Sequence, residues 1–335
     1  MQQQKHSSLG AWFRSGEPWI WFNAAAVGIS IFAVVGILLL IAARGFAHFW
    51  PSSVMLLDYR DSFGEQRVAL GELTEVEYLP VAQYLESSGG DEAALPEGAL
   101  QVERHLIKTG NRRVSPPDFR WVVAHKIDAT SYPNDVVVLE RVEWGNAYGY
   151  LESVLENGEM VAEGAAAWSA LQERLDRVAE IRGRVDDLEQ GRLFSINYQL
   201  ERLRLERRAL ELGDATEEAR EAARAATAES ERSLQADYDV AEAELRELRS
   251  ALRRDALILR TAEDRSIEVN LSEVMRAWRP NAMSWFDRLG HYGESFWIFL
   301  SEDPREANTE GGIFPAIFGT VMMVLLMSLL VTPFG

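Results

Sequence analysis

The chain has 335 residues, 47% of them hydrophobic and 26% charged, and carries a formal net charge of −18 at pH 7. Such an acidic balance argues against nucleic-acid binding, which needs a basic surface to meet the phosphates. The sequence contains no cysteine, which excludes disulfides, a thiolate nucleophile and a cysteine-ligated metal.

Residues 1–18 are predicted to be a short N-terminal tail, and residues 19–44 a first transmembrane helix. Ala24 to Ala43 carries no charged side chain, and at about 1.5 Å per residue it can cross a hydrocarbon core of about 30 Å. Aromatic residues at both ends, typical of membrane interfaces, are Trp19, Trp21, Phe22, Phe49 and Trp50. A signal peptide has a shorter apolar region of about 7–15 residues, so this pattern favours an uncleaved anchor.

The tail before this helix carries Lys5 and Arg14 against one acid, Glu17. Short basic segments stay in the cytoplasm, whereas long domains are translocated largely regardless of their charge. We therefore expect a cytoplasmic N-terminus and a large domain outside.

Residues 50–164 predict a β-rich domain. Short apolar runs bounded by Gly, Asp, Asn and Pro, typical of strands, lie at 54–59, 67–73, 74–79, 106–108, 119–123 and 136–139. The polar segment 87–92 predicts a mobile loop.

Residues 165–254 predict a helical hairpin inserted in this β domain. In the first arm Val178, Ile181, Val185 and Leu188 are spaced 3, 4 and 3, and the pattern resumes after a slip at Ile196. A break at 213–218 precedes a second arm with a heptad seam, formed by Leu234, Tyr238, Ala241, Leu245, Leu248 and Leu252. The seam predicts the core of an antiparallel coiled coil, and the alternative is a docking surface for another protein.

Residues 255–300 predict a β-hairpin and a return helix. Strand patterns at 256–260 and 266–271 flank a polar turn, an amphipathic stretch runs from Leu271 to Leu289, and an aromatic cluster follows. The cluster consists of Tyr292, Phe296, Trp297 and Phe299.

Residues 301–312 predict a segment that re-enters the membrane, and residues 313–335 a second transmembrane helix without an ionisable side chain up to Phe334. Small residues let membrane helices approach closely, and Pro is tolerated in a first turn. We therefore expect helix packing at Gly312, Pro315, Gly319 and Thr320. The whole chain is predicted to be an α+β membrane protein with a helix at each end.

No pattern of enzymatic chemistry is present. The sequence has no phosphate-binding glycine loop, and its five histidines are scattered without an i, i+4 pair. We expect no catalytic, cofactor or metal site, and no substrate-binding residue can be named. Arg305 and Glu306 either guard an entry path for ions or serve as interfacial and capping residues.

Two parts of the sequence resemble a known family. Asp303–Thr320, and above all Gly311–Thr320, is similar to the start of the permease core in the PstA-type subunit of the bacterial phosphate ABC transporter. Gly16–Trp21, Ala42–Gly45 and His48–Pro51 resemble the N-terminal anchor of the long proteobacterial form of that subunit. The remaining residues are interpreted from their patterns alone.

This resemblance implies a multi-pass protein of the bacterial inner membrane with a large periplasmic domain. It implies a partner permease subunit, cytoplasmic ATPase subunits, a periplasmic phosphate-binding protein and contact with membrane lipid. The family has about six spans and a cytoplasmic coupling loop, whereas this sequence stops at Gly335. It is therefore expected to be an N-terminal fragment that does not transport by itself.

Two other functions fit the pattern. A two-span sensor has the same topology, but needs a signalling helix after the second span. A periplasmic adaptor also carries a helical hairpin within β structure, but normally lacks a second span.

Overall fold

The computed structural model describes residues 16–61, 63–88, 95, 98, 100–111, 117–212, 216–305 and 311–333. The chain divides into two units, one of Met1–Pro51 with Trp285–Leu300 and one of Ser52–Ser284 with Ser301–Gly335. The described residues form helices and antiparallel sheets, which confirms the predicted α+β class.

Seven α-helices are described: α1 Glu17–Ala47, α2 Val81–Ser88, α3 Ala165–Asp186, α4 Phe194–Leu212, α5 Glu217–Leu252, α6 Trp285–Ser301 and α7 Phe314–Val331. Eleven strands are described: β1 Val54–Arg60, β2 Gln66–Pro80, β3 Gln101–Lys108, β4 Phe119–Val123, β5 Ile127–Ser131, β6 Val136–Arg141, β7 Ala147–Glu156, β8 Glu159–Glu163, β9 Asp255–Arg260, β10 Ser266–Asn270 and β11 Val274–Trp278.

Helices α1 and α7 are the two predicted apolar helices. The segments Pro18–Ala47 and Phe314–Val331 are both long and apolar enough to cross a membrane, and neither is buried against the rest of the chain. Each has a proline in its first turn, where the missing N–H would have no helical partner.

The first unit consists of α1 and most of α6. Aromatic rings join the end of α1 to α6: the ring centroid of Phe49 lies 5.0 Å from that of Phe299 and 5.5 Å from that of Phe296. Three residues of the predicted aromatic cluster, Tyr292, Phe296 and Phe299, therefore contact the end of the first apolar helix, whereas Trp297 is exposed.

In the second unit, the first sheet has the strand order β4-β3-β2-β1-β5. The sequence predicted two strands at 67–73 and 74–79, but the structure has one strand, β2, whose register against β3 shifts between Leu73 and Glu75. A β-bulge accommodates one extra residue in one strand without ending the pairing. It breaks the alternation of side chains, and the sequence pattern therefore looked like two strands.

The second sheet has the strand order β10-β9-β7-β6-β11, and β8 pairs with β7. A buried cluster joins Val54 and Leu70 of the first sheet to Val136, Val138 and Tyr148 of the second. Strands β5, β7, β8 and β11 were not predicted. The sequence predicted one amphipathic segment at Leu271–Leu289, but this stretch contains β11, two short 3-10 turns and the start of α6. A continuous helix is prevented because β11 pairs with β6 and residue 280 is a proline.

The helical arms lie between β8 and β9, and β9 pairs with β7, so the second sheet continues across the insertion. Arg249 of α5 lies 2.6 Å from Glu189, and Arg207 of α4 lies 3.1 Å from Glu231 of α5. Residues farther along the first arm thus pair with residues earlier in the second, which makes the arms antiparallel. The supercoiling of a coiled coil stays a prediction.

The slip in the first arm has a structural cause. A π-helical turn at Asp187–Leu193 separates α3 from α4 and inserts one residue, so that the buried residues Leu188 and Leu193 are five apart. A π-turn of this kind shifts the apolar face without ending the helix. The break at 213–215 and most of the predicted mobile loop at 87–92 lie outside the described residues, which include only Ser87 and Ser88 as the end of α2.

Candidate functional site

The segment that leads into α7 is folded back on itself. The backbone N–H of Gly312 donates to the carbonyl oxygen of Asp303 at 3.1 Å, and that of Phe314 to the carbonyl oxygen of Glu302 at 3.3 Å. Gly311 has a φ of +89°, and a Cβ there would lie 2.7 Å from the Asp303 oxygen. A glycine is therefore required where the two parts of this segment meet.

Arg305 ties this segment to the second sheet. Its Nη1 donates to Oε1 of Glu140 on β6, and its Nη2 to Glu302, each at 2.9 Å. Arg276 on β11 donates to the other oxygen of Glu140 at 2.6 Å. The side chains of Arg305, Glu140 and Arg276 are 12%, 16% and 19% exposed. We call these four residues, Glu140, Arg276, Glu302 and Arg305, the clamp.

Within the clamp, Glu140 and Arg305 each favour the charged form of the other. Burial alone would raise the pKa of Glu140, but the guanidinium groups of Arg276 and Arg305 outweigh it and hold that pKa below its ordinary value. Burial likewise lowers the pKa of Arg305, and the carboxylates of Glu140 and Glu302 outweigh it and raise that pKa. Charged partners that each keep the other ionised form short, strong hydrogen bonds.

The first helical arm reaches the same region through Arg182 of α3. This side chain donates to the carbonyl oxygens of Ser272 and Val274 at 3.1 and 3.3 Å. Burial lowers the pKa of Arg182, and the positive charge of Arg305 lowers it further. Hydrogen bonds of Arg182 therefore join the helical arm to the strand of the second sheet that carries Arg276.

A second charged cluster lies where the helical arms leave and rejoin the sheet. Asp255, fully buried at the start of β9, receives a hydrogen bond from Arg177 and lies 3.6 Å from Arg254. Arg174 donates to Glu156, at the end of β7, at 2.8 Å. Cations from both arms thus converge on carboxylates of the sheet and hold the base of the hairpin.

A groove of about 300 Å³ on the first sheet contains three basic residues, each with a polar partner. Its Arg60 lies 3.2 Å from Asp128, and its Arg120 lies 3.8 Å from Glu263. Lys126 donates to the carbonyl oxygen of Asp61 at 3.4 Å. Among the residues that the structure describes, no group of three or more His, Asp or Glu side chains could hold a metal.

The predicted hairpin core residues Leu245 and Leu248 are buried together with Ala241, against Val185, Leu188 and Leu193 of the first arm. Tyr238 and Leu252 are half-buried against this cluster, and Leu234 is half-buried nearer the hairpin tip.

The residues predicted to pack the second apolar helix do not meet another helix within the described parts of the second unit. Gly312 is buried in the folded-back segment, and Pro315 is exposed in the first turn of α7. A Cβ at Gly319 would meet nothing within 4 Å, and the Thr320 hydroxyl donates to the Ile317 carbonyl oxygen at 2.9 Å. Their role in helix packing stays a prediction.

The clamp residues Glu140 and Arg276 were not found from the sequence. Arg305 was named, and the structure gives it the role of an ion-pair partner, while Glu306 lies outside the described residues. The sequence did contain a signal for Glu140, because this charged residue directly follows the buried run Val136–Leu139. A charge at such a position usually needs a partner.

No protein-family model, no curated protein and no solved structure matches this chain. The resemblance to the phosphate permease therefore depends on the residues quoted for it.

Proposed function

We propose that the chain belongs to a membrane permease subunit of an ABC importer for inorganic phosphate. In this proposal α1 and α7 cross the bacterial inner membrane, and the sheets and helical arms lie on its periplasmic side. The chain would form the translocation path together with a partner permease subunit.

The lengths of the two apolar helices support membrane insertion. The 30 residues of Pro18–Ala47 and the 18 residues of Phe314–Val331 extend about 45 Å and about 27 Å at 1.5 Å per residue. A hydrocarbon core is about 30 Å thick. The first helix is thus long enough to reach through both interfaces, and the second comes within about 3 Å of the core thickness.

The observation that carries the proposal is the fold of the segment that resembles the permease core. The described residues of 303–320 bring together the clamp residue Arg305, Gly311 with its positive φ and its bridge to Pro304, and the start of α7. A free membrane anchor needs no such fixed entrance, whereas a helix that must take a defined place in a bundle benefits from one.

The partners follow from the same proposal. Cytoplasmic ATPase subunits would drive transport, and a periplasmic phosphate-binding protein would deliver the substrate. The side chains that would contact phosphate are not among those that the resemblance assigns.

Uptake of radioactive phosphate tests the proposal. Cells that lack their own phosphate permease subunits receive the full gene that encodes this chain together with its partner genes. We expect uptake to be restored, and Gly319→Leu to reduce both uptake and recovery of the complex without blocking membrane insertion, because a bulky side chain keeps packed membrane helices apart. Ser328→Leu, nine residues farther along and therefore on the opposite face of the same helix, is the matched control for a larger side chain. Failure of the full gene to restore uptake, with normal expression, would contradict the proposal.

A two-span sensor is the second candidate. Arg182 of the helical arm bonds to the start of β11, which carries the clamp residue Arg276, and the N–H of Phe314 in α7 donates to the carbonyl oxygen of Glu302. These contacts would also suit a signal that passes from an external domain to a membrane helix. The gene region downstream of codon 335 separates the two: further apolar helices support the permease, and a signalling helix supports the sensor.

A further inference from the structure

Helix α6 carries an apolar face that its own unit does not cover. Trp285, Phe286 and Leu289 are 62%, 79% and 46% exposed. At 3.6 residues per turn they fall within about one third of the helix circumference, and the exposed Trp297 lies at the edge of the same sector. Large aromatic side chains grouped in this way mark an interaction surface.

Farther along α6, side chains that point to much the same side of the helix are held against the end of α1. The ring of Phe296 lies 5.6 Å from that of Phe46, in the last turn of α1, and the ring of Tyr292 lies 6.3 Å from that of Phe49. Arg288 donates to the carbonyl oxygen of Pro51 at 3.4 Å. The exposed face is therefore fixed beside the point where the apolar helix ends.

The opposite side of α6 is polar but carries little net charge. The negative charges of Asp287 and Glu294 outnumber the positive charge of Arg288 by one, and His291 is the remaining ionisable side chain there. A surface without excess positive charge gains little from anionic lipids. Any affinity of this helix for a membrane must come from its apolar side chains.

We propose that α6 is an interfacial helix, whose face of Trp285, Phe286 and Leu289 lies in the headgroup–acyl boundary of the bilayer. The end of an inserted α1 lies at that boundary, and tryptophan is enriched there because its ring is amphipathic. The inference rests on the proposed membrane insertion of α1. It adds a second lipid contact, which fixes how the chain leaves the membrane.

Spin labels on single cysteines test this inference in the full-length chain, which is suited to the method because it has no cysteine of its own. Leu289→Cys probes the apolar face, and Glu294→Cys is the matched control on the polar side of the same helix. Leu38→Cys reports the middle of α1, and Phe63→Cys reports an exposed turn of the sheet domain. The labelled proteins are reconstituted in phosphatidylcholine vesicles, and collision with oxygen is compared with collision with a water-soluble nickel chelate.

We expect the label at 289 to collide with oxygen and not with nickel, at a depth of about 5–10 Å below the headgroups, and the label at 294 to collide with nickel. A label at 289 as accessible to nickel as the label at 63 overturns the inference, and so does one shielded from both reagents, which indicates a protein partner on this face. If the label at 38 is in lipid while that at 289 is in water, the inference alone fails. If both are in water, the proposed membrane insertion fails as well.

Discussion

Removal of the negative charge of Glu140 should destabilise the sheet domain strongly. Glu140→Gln keeps the shape of the side chain but removes the carboxylate that Arg276 and Arg305, 19% and 12% exposed, share. Arg305 keeps its ion pair with Glu302. Breaking a buried ion pair by loss of one partner costs about 3–5 kcal/mol. Because these side chains keep some contact with solvent, we expect the lower end, about 3 kcal/mol.

Thermal unfolding of the full-length chain in detergent measures this effect. For a domain of 150–250 residues, 1 kcal/mol corresponds to about 2–4 °C, so the midpoint should fall by about 6–12 °C. The matched control is Glu75→Gln, an exposed glutamate on β2, which should shift the midpoint by less than about 2 °C, since exposed substitutions stay within about 0.5 kcal/mol. The double variant with Arg305→Gln should lose less than the sum of the single losses. Equal midpoints for the Glu140 and Glu75 variants would refute the clamp as a stabilising network.

Three further predictions follow from the same structure. Glu140 has a lowered pKa, so its contribution to stability is present above the ordinary value of 4.5 and is lost as the pH falls through the lower folded-state pKa. The difference in unfolding midpoint between the wild type and Glu140→Gln should therefore shrink below about pH 4. A difference that stays constant down to about pH 2 would contradict this. Changing Leu245 and Leu248 together to Asp should lower the free energy of unfolding by well over about 3 kcal/mol, because each buried apolar side chain is replaced by an unpaired charge. Limited proteolysis should then cut within the arms, whereas a variant with Asp at the exposed Val240 should stay resistant. Equal resistance of the two variants would place the two leucines at an outward face. Gly311→Ala should lower the unfolding midpoint more than Gly64→Ala. Both glycines have a positive φ, which alone costs a non-glycine residue about 1–2 kcal/mol, but only a Cβ at 311 would lie against backbone atoms. Equal losses would show that the contact of residue 311 with this backbone is unimportant.

The two apolar helices could be predicted from the sequence because uncharged runs of that length have few other structures. The confirmed α+β class could be predicted because short apolar runs typical of strands alternate along the chain with a heptad repeat typical of helices. The position of the first arm's slip was visible at Leu188 and Ile196, but its cause, an inserted residue in a π-turn, needs the backbone.

The remaining strands could not be predicted, because their patterns depend on pairing distant in sequence. Strand β7 contains Gly149, which a strand pattern disfavours, yet a Cβ there would lie 2.6 Å from the carbonyl oxygen of Arg260 on β9. Strand β5 is exposed along most of its length, so its side chains do not alternate between core and solvent.

The clamp also depends on distant pairing. Glu140 and Arg305 are separated by 165 positions, and no local pattern links them. Arg305 was recognisable as a charge beside an apolar helix, but its partner was not.

The account depends most on the placement of the sheet domain outside the cytoplasm, between two membrane-crossing helices. Phe63→Cys places a single thiol in the exposed turn between β1 and β2, and a membrane-impermeant maleimide is added to intact spheroplasts and to lysed cells, with the cysteine-free parent as background. The account predicts the same labelling before and after lysis. Labelling that occurs only after lysis would place this domain in the cytoplasm and contradict the account.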